Sequence, residues 1–76
     1  MSIRQIREHL LHSDAEFQRL AVEHSQYEEQ LQQLLKSPYL SAEDFLLESD
    51  LKKRKLRLKD EMERLVVTAA KIEATH

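Results

Sequence analysis

Three sets of side chains in this chain have the types and spacings from which chemistry is made. The first is His24, Glu28 and Lys55. A histidine in a polar layer is a candidate proton switch, since the imidazole titrates near neutral pH. The second is the run Lys52-Lys53-Arg54-Lys55-Leu56-Arg57-Leu58-Lys59, with six basic residues in eight. Such a run could hold phosphates. The third is His9 and His12, three residues apart, which on a helix could share a metal ion.

Each set also has a structural reading, and the residues around it favour that one. Lys55 can lay its aliphatic stem along a helix seam while its ammonium reaches solvent or Glu28. His24 can hydrogen-bond across the same seam. A polar layer of this kind costs some stability and sets register. No nucleophile or oxyanion donor is placed to make it a catalytic centre. In the basic run, successive helical residues turn by about 100°, which spreads the charges around a rod. Glu48, Asp50, Asp60 and Glu61 flank the run, and Glu23, Glu28 and Glu29 oppose it from the first half of the chain. No aromatic residue interleaves to stack bases. A partly paired, solvated face is the expectation, with Lys52, Lys53, Arg54, Arg57 and Lys59 as the anion-binding alternative. Two histidines make a weak metal site, and neither Glu8 nor Glu16 is specified as a third ligand. The chain has no cysteine, so a thiolate site is excluded. No glycine-rich loop or other motif implies a cofactor or an enzyme.

The elements that must position these residues are helices. Ile3, Ile6, Leu10, Phe17, Leu20, Tyr27, Leu31 and Leu34 recur at steps of three and four, with Ser13 and His24 as the polar members. A second series holds Leu51, Leu58, Met62, Leu65, Ala69 and Ile72, with Leu47 just off the stripe. That period is the seam of two helices packed like a coiled coil. Proline biases Ser37 away from helical geometry. Ser41 is positioned to cap the next helix, with Glu43 and Asp44 at its positive end. The spacing predicts helix one over about 3–36, a turn over 37–41 and helix two over about 42–72, roughly 45 Å long. A connection this short makes the helices antiparallel neighbours. The expected fold is all-α, an antiparallel two-helix hairpin. Residues whose numbers sum to about 78 should face each other, which places Tyr27 opposite Leu51 and Leu20 opposite Leu58. His24 falls opposite Arg54 and Lys55.

Two features complicate the first helix. Ser2 is placed to cap a helix starting at Ile3. Ser13-Asp14-Ala15-Glu16 fits a capping box just ahead of Phe17, which would make Ile3–His12 a separate short helix. The unbroken heptad register through Ser13 argues for one continuous helix instead.

With 76 residues, the chain holds one domain at most. A chain of this size buries only about 60% of its unfolded surface. Regular helix packing or oligomerisation is the remaining source of stability. Leu65, Val66, Val67, Ala69, Ala70 and Ile72 cover much of helix two's circumference, and Ile3, Ile6, Leu10 and Leu11 lie opposite them. A stripe that wide implies a further surface to bury. Leu11, Val66, Val67 and Ala70 are therefore the candidate interaction surface, for a second copy or another protein. The net charge of -2 carries no bias toward polyanions. No apolar run reaches the ~20 residues of a membrane span, and no signal-peptide hydrophobic region is present. A cytoplasm-like compartment is expected. The function expected is a non-enzymatic interaction or regulatory role through helix packing, with a nucleic-acid-associated regulator as the alternative.

Two segments carry a family resemblance. They are Phe17-x-x-Leu20-x-x-Glu23-His24-x-x-Tyr27-Glu28-x-x-Leu31 and Leu51-Lys52-Lys53-Arg54-Lys55-Leu56-Arg57-Leu58-Lys59-Asp60-Glu61-Met62. Together they resemble the YdcH-like family of short bacterial proteins of unknown function, over about residues 3–67. The resemblance implies a small helical hairpin and no enzyme activity. It groups His24, Glu28, Lys55 and Lys59, which match the family's polar pattern. Family members often carry Leu-Asp where this chain has Tyr27-Glu28. They also often carry proline near Ala15, which this chain lacks.

Overall fold

The computed structural model describes residues 2–74. Three helices follow one another: α1 (Ile3–Ser13), α2 (Ala15–Leu35) and α3 (Ala42–Ala74). No other regular element occurs among the described residues. The molecule is a rod about 53 Å long and under 20 Å across. At 1.5 Å per residue, α3 alone accounts for nearly that length. No helix among the described residues is long and apolar enough to cross a membrane.

Capping explains where each helix begins. Ser2 Oγ accepts from the Gln5 N–H, and Gln5 Oε1 accepts from the Ser2 N–H. This reciprocal pair satisfies two orphan donors at the start of α1. Ser41 and Asp44 repeat the arrangement at α3, at 3.1 and 3.0 Å. Asp44 thus closes a hydrogen bond besides meeting the positive end of the helix. The connection from Lys36 to Ser41 uses no positive-φ residue, consistent with a chain that has no glycine.

The first helix breaks, and Asp14 is the residue at the break. Its backbone is extended (φ -114, ψ 112), and its carboxylate accepts from the Phe17 N–H at 2.9 Å. Ser13, expected to cap from the sequence, is the last residue of α1, and its hydroxyl donates back to the His9 carbonyl at 2.7 Å. A carboxylate serves better at this point because it adds negative charge at the positive end of α2.

Ile6, Leu10, Phe17, Leu20, Leu31, Leu51, Leu58 and Val66 are buried. Most of these belong to the series anticipated from the period. The differences lie where α1 meets α3. Val66, expected on an outer surface, is 2% exposed and packs with Ile6, Leu10 and Phe17. Ile72, expected in the seam, is 56% exposed, and Ile3 is also exposed. The physical cause is the bend at Asp14. It lays α1 over a different side of α3, so the buried position there moves one residue along, from Leu65 to Val66. Leu65, Ala69 and Ala70 remain half-buried around that cluster.

Candidate functional site: a polar crevice and uncovered apolar faces

The polar layer forms between α2 and α3. Lys55 Nζ donates to Glu28 Oε2, with both side chains partly exposed. That hydrogen bond, and then the lysine charge itself, hold the Glu28 carboxyl below the ordinary glutamate range. Partial burial opposes the shift, and His24 adds a smaller favourable pull. This is one of the two contacts that the seam position of Lys55 allows. Glu28 meets Lys55, and Arg54 lies beside Tyr27 and Asp50, which push its guanidinium further up.

The layer opens into a crevice where all three helices meet. Arg7 comes from α1, Phe17 and His24 from α2, and Lys55, Lys59, Met62, Glu63 and Val66 from α3. Its volume is about 310 Å³. Arg7 is paired with Glu63 across the α1–α3 boundary. Arg7 belongs to none of the three sets that residue type and spacing single out. The signal that could have found it is the break itself, which swings α1 alongside Glu63.

The basic run does not form one stripe. Lys52 pairs with Glu48 at 2.8 Å, Arg54 with Asp50 at 2.9 Å, and Lys55 with Glu28. The other three diverge to separate grooves. Lys53 lies beside Phe45 and Ser49, Arg57 beside Glu23 and Glu61, and Lys59 in the crevice. Of the acids expected to oppose the run, Glu23 pairs with Arg19 on its own helix at 3.1 Å, and Glu29 is exposed. His9 lines a cleft of about 440 Å³ with Ile6, Leu10 and Ala69, while His12 is exposed. No group of three metal-ligating side chains gathers among the described residues.

The apolar surfaces also differ from expectation. Leu11 and Val67 are exposed, but Ala70 is half-buried and Val66 is core. The larger uncovered group lies at the turn end of the rod. It comprises Leu35, Tyr39, Phe45, Leu46 and Leu47, with Leu46 72% and Tyr39 88% exposed. The sequence held the clue: three successive apolar residues, Phe45-Leu46-Leu47, step by about 100° each and cannot all face one partner helix. Leu47 also borders a groove of about 590 Å³ with Leu34, Leu51 and Gln30.

Residues 17–66 match the family model described as a protein of unknown function (DUF465). The chain belongs to that family, the YdcH-like proteins. The family segment begins at Phe17 in α2 and ends at Val66 in α3. His24, Glu28, Lys55 and Lys59 fall inside it, whereas α1 with Arg7 and Leu11 falls outside. No curated protein and no solved structure matches the chain.

Proposed function

We propose that this member of the family is a non-enzymatic cytoplasmic interaction module. It acts by packing apolar helix faces against a second copy of itself or against another protein. The observation that carries this reading is the balance of apolar side chains. Among the described residues eleven large ones are exposed, including Leu35, Tyr39, Phe45, Leu46 and Leu47, while eight hydrophobic residues are buried. Large apolar side chains left exposed at one end of a rod mark a candidate association site.

The scaffold in this reading is an antiparallel hairpin of α2 and α3 with coiled-coil-like packing. Two ion pairs support the antiparallel sense. Arg7 meets Glu63, and Glu28 meets Lys55, so numbers rise on one side as they fall on the other. The spacing supports the packing mode. Phe17, Leu20, His24, Tyr27, Leu31 and Leu34 alternate steps of three and four, and all are buried or half-buried. The phosphate-binding alternative lacks comparable support, because half of the basic run is already paired and the remainder diverges.

Sedimentation equilibrium over a concentration series tests the proposal on the intact chain. The expected result is a mass that rises with concentration and returns to the monomer in a Phe45→Glu, Leu46→Glu variant of unchanged helicity. Identical masses for the two proteins at every concentration would count against self-packing through the turn end. A salt-dependent affinity for DNA or RNA would revive the alternative.

A further inference from the structure

The crevice among the three helices carries a charge pattern that helix packing does not use. Three full cations converge there: Arg7, Lys55 and Lys59. Two are answered by acids, Arg7 by Glu63 and Lys55 by Glu28. Lys59 has no ion pair among the described residues, and His24 has no side-chain hydrogen-bond partner there. Both line the crevice together with Phe17 and Met62. One unanswered positive charge and an imidazole therefore share the crevice with an apolar floor. It is more enclosed than the grooves beside Leu47, His9, Lys53 and Arg57. Its volume of about 310 Å³ lies at the lower end of the range for small-molecule sites, roughly 300–1,000 Å³. It is too small for a helix, whose diameter with side chains is about 10 Å.

We propose that this crevice binds a small amphiphilic carboxylate, with its anion on Lys59 and His24 and its tail against Phe17 and Met62. An ammonium–carboxylate contact is a charge-assisted hydrogen bond, stronger than a neutral one. A monoanion matches the single unanswered cation. A dianionic phosphate ester would leave charge uncompensated. The apolar floor selects against anions with no tail, because they leave it wet.

Octanoate is the probe, titrated into the intact protein below its micelle-forming concentration and followed by NMR. The expected shifts centre on His24, Lys59 and Met62, and acetate binds far more weakly. Lys59→Gln weakens octanoate by about tenfold, the scale of one lost hydrogen bond to a charged group. Lys59→Arg retains the affinity, and Lys53→Gln, on another face, leaves it unchanged. Three results would overturn the assignment. One is the absence of localised shifts. Another is equal octanoate affinity in Lys59→Gln with shifts at Leu34 and Leu47. The third is octyl phosphate binding tenfold tighter than octanoate, which would make the crevice a phosphate-ester site.

Discussion

Adjacent valines on α3 offer the sharpest test of how the helices pack. Val66 is 2% exposed and Val67 is 48% exposed. Truncating Val66 to alanine removes two methyl groups from the cluster with Ile6, Leu10 and Phe17. Transfer alone costs about 0.8 kcal/mol for each buried methyl-sized group, or about 1.6 kcal/mol in all. The unfilled space raises that to about 2–3 kcal/mol. The same truncation at Val67 should stay within about 0.5 kcal/mol, as for most surface sites. In a chain of this size each 1 kcal/mol moves the melting temperature by about 4–8 °C. Val66→Ala should therefore melt roughly 10–20 °C lower than the parent, and Val67→Ala only a few degrees lower. Melting should be followed by circular dichroism at low protein concentration, so that association does not mask the difference. Equal effects, or a larger effect at Val67, would refute the placement of α1 over Val66. They would restore the simpler arrangement in which both valines lie outside.

Three other outcomes follow from the same contacts. Glu28 has a folded pKa below its ordinary value because of Lys55, so its pairing contributes stability above the unfolded pKa. That contribution is lost as pH falls through the folded value. The melting-temperature gap between the parent and Glu28→Gln should be present at neutral pH and close below the ordinary glutamate range. A gap that persists into strong acid would contradict the pairing. Leu58→Ala should cost about 2–5 kcal/mol in urea unfolding, and an unchanged midpoint would remove Leu58 from the core. Arg7→Ala should cost no more than about 1 kcal/mol, since its pair with Glu63 is solvent-exposed. A much larger loss in thermal melts would show that the Arg7 stem packs on α3.

Most of the architecture was legible in the period of the apolar residues. Phe17, Leu20, Leu31, Leu51 and Leu58 stand in the sequence at the steps that bury them. Ser2 and Ser41 cap as their types suggest. The errors share one origin. A heptad register continues through residue 13 whether or not the backbone does, so periodicity cannot report a bend. Once α1 turns, Val66 is drawn inside and Ile72 is left out. The crevice was invisible for the same reason, because Arg7 reaches it only from a displaced helix. Charge spacing was a better guide. The basic run was expected to scatter around the rod, and Lys53, Arg57 and Lys59 do lie on separate faces. Its partners were legible too, since Glu48, Asp50 and Glu28 answer Lys52, Arg54 and Lys55.

The bend therefore bears on both the core and the crevice, and it rests on few atoms. Asp14 closes α1 through its N–H to the Leu10 carbonyl at 2.9 Å and opens α2 through its carboxylate to the Phe17 N–H. Gln18 supports the junction by donating to the Leu11 carbonyl at 2.7 Å. Removing the carboxylate leaves the Phe17 N–H without its acceptor, at a cost of about 1 kcal/mol. Alanine also favours a helix more than aspartate does. The heptad register then offers Asp14→Ala a competing state, a continuous helix through residue 14. The expected variant is about 1 kcal/mol less stable, no less helical by far-UV circular dichroism, and faster in hydrogen exchange at the Phe17 amide. Ser13→Ala should change little, because its hydroxyl only donates back along its own helix. If Ser13→Ala were the costly substitution and Asp14→Ala neutral, the cap would belong to Ser13, and the path of α1 over Val66 would have to be redrawn.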